Sequence, residues 1–77
     1  MRIEWYNSQN GRSYLVDFFE DLLGDWILIR RWRGIKRRGN QKIEFMPNFE
    51  AGVAHIDQIH ATRVRHGYKR TIDPATI

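Results

Sequence analysis

Residues 26–45, WILIRRWRGIKRRGNQKIEF, are an apolar strand pattern that turns halfway along into dense positive charge. The stretch holds two of the three tryptophans and seven of the thirteen Lys and Arg residues. Ile27, Leu28 and Ile29 are β-formers that favour burial on both faces, whereas Arg30, Arg31 and Arg33 around Trp32 need water or anions. One strand therefore runs from core to working surface. Gly34 and the RRGN at 37–40 break it, and residues 41–46 resume with Ile43 and Phe45 alternating against Lys42 and Glu44. Trp32 among the arginines has two physical readings. It is a snorkelled core residue with its rim covered by Arg stems, or a stacking plate flanked by phosphate-binding cations.

Upstream, Ile3 and Trp5 alternate with Arg2, Glu4 and Tyr6, and SQNG at 8–11 supplies an Asn-Gly turn. Residues 13–20 form a second strand, with Tyr14, Val16 and Phe18 on one face and Leu15 and Phe19 opposing them around Asp17. This parity predicts cover on both faces near the middle of the sheet. DLLGD at 21–25 is a turn that folds Leu22 and Leu23 back onto the core. Short sequential turns imply an antiparallel meander of four strands.

Downstream, Pro47 ends the ladder because it lacks an N–H, and Asn48 is a good N-cap. Phe49, Val53, Ile56, Ile59 or His60, Arg63 and Val64 then recur at helical spacing up to Gly67, which suits the left-handed position after a helix C-terminus. Arg63, Arg65 and His66 complement the helix dipole there. Gly52 in the apolar stripe weakens the helix by up to about 1 kcal/mol but permits close approach to the sheet. The expected fold is α+β, a four-stranded antiparallel sheet packed against one C-terminal helix over 49–66. It forms a single domain over 1–70, and the aperiodic KRTIDPATI after Tyr68 is expected to fray, with 71–77 a disordered tail.

A chain of 77 residues with 42% hydrophobic content has room for one small core. Without cysteine the fold rests on packing alone, and with no apolar run for a signal peptide or membrane span a cytoplasmic location is expected. The formal charge is +4, and eleven of the thirteen basic residues lie between Arg30 and Arg70 against Glu44, Glu50 and Asp57. The first 29 residues invert this, with Arg2 and Arg12 against Glu4, Asp17, Glu20, Asp21 and Asp25. A basic half of this kind is the footprint of a polyanion partner.

Several of these residues together resemble the WGR domain, a small module of poly(ADP-ribose) polymerases and of short stand-alone bacterial proteins. They are Asp25-Trp26, Arg30, Trp32 with Arg33-Gly34-Ile35, Met46-Pro47-Asn48, Ile56 and Ile59, and Gly67-Tyr68. The resemblance implies strand, glycine-containing loop, strand and one helix, and a role in contacting DNA near strand ends. The tryptophan of the family's Trp-Gly-Arg maps onto Trp32, but this chain reads Trp32-Arg33-Gly34, with arginine and glycine transposed. On an unchanged backbone that shift sends the arginine to the opposite face. Its role then falls to Arg33 if Gly34 supplies a bulge, or to Arg31, or to Lys36, Arg37 or Arg38.

His55, His60 and His66 are spaced by five and six, which puts no pair at the i, i+4 spacing of a helical metal site. Asp57 and His60 are within reach of each other, more as a surface contact than as an acid-base dyad. No nucleophile, phosphate-loop or dinucleotide motif is present, so no enzyme activity, no metal and no cofactor are expected. The expected function is a small nucleic-acid-binding module, DNA before RNA, reading backbone, ends or shape. Its site is Trp32 with Arg30, Arg31, Arg33, Lys36, Arg37, Arg38 and Lys42, a reading that needs these cations on one contiguous face; cations scattered over opposite faces favour a merely soluble surface. The alternative is a protein-interaction module whose basic face docks an acidic partner.

Overall fold

β1 (Arg2–Asn7) and β2 (Arg12–Glu20) form the first hairpin of the computed structural model, which describes residues 1–34 and 39–71. The turn between them closes with Gly11 N–H donating to the Asn7 carbonyl at 2.8 Å, and Gly11 adopts φ 70°. Asn10 adds a side-chain acceptor for Arg12 N–H at 3.0 Å. β3 (Trp26–Arg33) pairs with β2, and β4 (Asn40–Met46) pairs with β3, both antiparallel. The expected four-strand meander is therefore present, packed on one helix. A fifth strand, β5 (Lys69–Arg70), adds to the outer edge of β1, giving the order β4-β3-β2-β1-β5.

β5 corrects the expectation that the chain frays after Tyr68. Thr71 N–H also donates to the Glu4 carbonyl at 2.9 Å, so the exposed edge of β1 supplies backbone partners that outweigh the lack of apolar period. The rest of the expected tail, residues 72–77, lies outside the described residues.

Strand parity places Ile3 and Trp5, Tyr14, Val16 and Phe18, and Leu28 on one face, where they meet Ile56, Ile59 and Tyr68 in the core. The helix α1 (Phe49–Arg65) covers that face. Asn48 caps it by accepting from Ala51 N–H at 2.8 Å. Its far end is a Schellman closure: Tyr68 N–H reaches the Arg63 carbonyl at 2.9 Å, Gly67 N–H reaches that of Val64 at 3.1 Å, and Gly67 sits at φ 88°. Asn7, buried at the end of β1, donates from Nδ2 to the His66 carbonyl at 3.1 Å and ties this end of the helix to the first turn. Gly52 lies directly on Phe18, where a Cβ would come within 1.9 Å of the ring.

Two expectations fail on the other face of the sheet. Among the described residues nothing covers it: Phe19, Ile43 and Phe45 are exposed, Phe45 by 70%. The pairing Trp26↔Met46 and Leu28↔Glu44 turns Met46 and Glu44 towards the helix and so sends Ile43 and Phe45 outward. Leu22 and Leu23 do not fold back either, since Leu22 is fully exposed and Leu23 is 87% exposed. The Asp21 carboxylate accepts from Leu23 N–H and Asp25 N–H, both at 2.9 Å, and holds the turn pointing away from the core.

Candidate nucleic-acid interface

The register of β3 and β4 decides where each cation points. Tyr14↔Trp32, Val16↔Arg30 and Arg30↔Lys42 put Arg30, Trp32 and Lys42 on the helix side. Arg31 and Arg33 alternate to the outer side. The predicted cations therefore do not share one contiguous face, which corrects that expectation. Lys36, Arg37 and Arg38 lie in the hairpin loop outside the described residues.

On the helix side, Arg30 is engaged internally. Its guanidinium pairs with Glu44, and Nη1 lies 3.5 Å from the Tyr14 hydroxyl. His55 Nε2 approaches the same carboxylate at 3.1 Å, close enough for an ion pair though not aligned as a hydrogen bond. Burial pushes the Glu44 carboxyl up, but the hydrogen bond and charge of Arg30, with the charges of His55 and Lys42 behind them, hold it below the usual carboxylate range. Arg30 thus anchors β3 to β4 and is not available as a phosphate contact. His60 is also committed, as Nδ1 accepts from Trp5 Nε1–H at 3.0 Å. Among the described residues no group of three His, Asp or Glu side chains is placed to hold a metal ion.

Trp32 is supported on one side and open on the other. One ring face stacks on Tyr14 at 5.9 Å between centroids and 11° between planes, while 36% of the residue stays exposed. Arg63 sits over the same Tyr14 ring at 4.5 Å and over Tyr68 at 5.1 Å. Sequence reasoning placed Arg63 at helical spacing with the apolar stripe and as a complement to the helix dipole, and did not pair it with any aromatic. The signal lay in the inward parity of Tyr14 and in Tyr68 following the helix-ending glycine. Together these groups form a cationic and aromatic crevice between helix and sheet, lined by Tyr14, Arg30, His55, Gln58, Thr62 and Arg63.

On the outer side Arg31 donates to Asp17 at 2.8 Å and to Gln41 at 3.4 Å. Asp17 also receives Arg2 at 2.8 Å, and that hydrogen bond holds its carboxyl below the usual range. Arg33 makes no ion pair with a described acid. Arg31 and Arg33 line an open groove of about 710 Å³ together with Glu4, Tyr6, Ser13, Leu15 and Gln41.

Gly34 is not among the glycines at positive φ, and β3 stays in register with β2 through Ser13↔Arg33. The bulge that would have turned Arg33 to the side of Trp32 is therefore not formed. Comparison of the chain with protein-family models, with curated proteins and with solved structures finds no match. No described helix is long and apolar enough to cross a membrane.

Proposed function

We propose that the chain is a nucleic-acid-binding module, similar in kind to a WGR domain, that inserts its β3–β4 hairpin into a groove of duplex DNA. The observation that carries this is the alternation of cations along an acid-free ribbon. Residues 26–43 contain no Asp or Glu, and Arg31 and Arg33 point to one side while Lys42 and the exposed rim of Trp32 point to the other. β3 is paired with β2 along all of residues 26–33, so it is the end of the hairpin, at Arg33, Gly34, Gly39 and Asn40, that meets the duplex, with cations to either side of it. The major groove of B-DNA, about 12 Å wide, is open to such an end, whereas that of A-form RNA is too deep and narrow. Lys36, Arg37 and Arg38, at the tip in sequence, add charge where the ribbon would enter. Arg, Lys, Asn and Gln can each reach base edges, but no ordered base-reading code is visible in the hairpin sequence, so the reading is of backbone and shape.

The test is titration of one sequence as DNA duplex and as RNA duplex under the same salt. Preference for the DNA duplex supports insertion. Equal binding to both contradicts it and returns the site to a general polyanion surface.

A further inference from the structure

The Asp21–Asp25 turn and the outer groove are complementary in apolar character and, at Arg33, in charge. The turn projects Leu22 and Leu23 into solvent between Asp21 and Asp25. The groove is lined by Leu15 and Tyr6, by Glu4, and by Arg31 and Arg33, of which Arg31 is paired to Asp17 and Arg33 makes no ion pair with a described acid. Within one chain they cannot meet, because they lie at opposite ends of β3. Between the two runs the uncovered strip of Phe19, Ile27, Ile29, Ile43 and Phe45. We infer that this face binds a second copy of the same chain, the turn of each seated in the groove of the other.

The geometry follows from strand spacing. A two-fold axis crossing the strands near Ile29 lays the sheets face to face with strands antiparallel. Asp21 N–H bonds the Asp25 carbonyl, so the two acids sit level with each other four residues from Ile29, and Arg33 of one copy, four residues the other way, falls over them in the other. The same operation stacks the two apolar strips on each other and sets acid against base twice. This arrangement accounts for two leucines held away from the core by a well-made turn, and for an apolar strip that a small monomer would not otherwise leave bare. It also follows the charge asymmetry of the chain, acidic before residue 30 and basic after it. A second copy and a nucleic acid would compete for Arg33. That consequence rests on the binding role proposed above, whereas the association itself does not.

The experiment is sedimentation equilibrium of the full chain without nucleic acid, read as mass against the 9.3 kDa of one copy. Twice that mass at tens of micromolar is expected. Leu22→Ser with Leu23→Ser, both exposed and so compatible with the fold, should weaken association by about thirtyfold or more, the effect of losing an interface anchor. Circular dichroism checks that the variant is folded, and Phe45→Glu gives a second, independent disruption. Asp25→Arg and Arg33→Asp should each weaken the dimer, and together restore it. A wild-type chain that stays at one mass, or a dimer indifferent to Leu22, Leu23 and Phe45, overturns the inference.

Discussion

Gly52 is where the helix touches the sheet most closely, and its missing side chain is what lets Phe18 fill the space below. Replacing it with Ala gains helix propensity of up to about 1 kcal/mol but drives a methyl into an aromatic ring, an overpacking cost of about 1–3 kcal/mol. Gly52→Ala is therefore expected to lower the melting temperature despite being a better helix former; an unchanged or raised value would mean the helix sits further from the sheet. Trp32 is half support and half surface, so Trp32→Ala should lose about 0.5–1.5 kcal/mol of stacking with Tyr14 and about 1–3 kcal/mol of nucleic-acid binding. Urea unfolding and duplex titration of the same variant separate the two, and a stability loss of about 3–5 kcal/mol would mark a purely core residue. Glu44 gives a pH test. Its pKa is lower folded than unfolded, so the stability it contributes is present above the ordinary carboxylate value, about 4, and is lost as pH falls through the folded value. Glu44→Gln should shrink the acid-side loss of stability, and an acid limb unchanged by the substitution would show that Arg30 is not held by this carboxylate.

At the scale of the hairpin, the transposed Arg33-Gly34 can be exchanged without changing charge. Gly34 has no positive φ, and a Cβ there meets only Arg12 Cγ at 3.8 Å, so arginine fits and points to the helix side. Arg33→Gly with Gly34→Arg is expected to leave stability within about 0.5 kcal/mol, as for an ordinary surface exchange. If the ribbon is gripped from both sides, DNA affinity should change by no more than about threefold; a large loss would assign phosphate contact to the outer face alone. What was legible in the sequence of these elements was local. Asn48 as cap, Gly67 as the residue closing the helix, Gly52 as the point of close approach and the inward Tyr14, Val16 and Phe18 all follow from a residue and its near neighbours. What was not legible depends on partners distant in sequence. The face chosen by Ile43 and Phe45 is set by the register with β3, the commitment of Arg30 by Glu44 on the neighbouring strand, and β5 by the open edge of β1. The alternation of cations between faces was implicit in strand parity, but the density of charge at 30–42 suggested a patch.

Over the whole molecule, one hairpin carries seven cations against a single acid, Glu44, while the helix and the other strands supply the platform on which it sits. Arg30 and Glu44 lock its base, Tyr14 supports Trp32, and Arg63 braces Tyr14 from the helix. On the proposed reading the platform leaves Arg33 and Lys42, with the cations at 36–38 in the sequence, to meet phosphate, while Arg31 is held by Asp17. Each phosphate neutralised on duplex DNA contributes about −0.9 to the slope of log K against log salt, so about three or four contacts correspond to a slope of roughly −3 to −4. The most direct measurement is that slope, from titration of the chain with a short DNA duplex across a series of salt concentrations. A value of about −3 to −4 is the result the hairpin account predicts, and a slope near zero, or no binding at low salt, contradicts it.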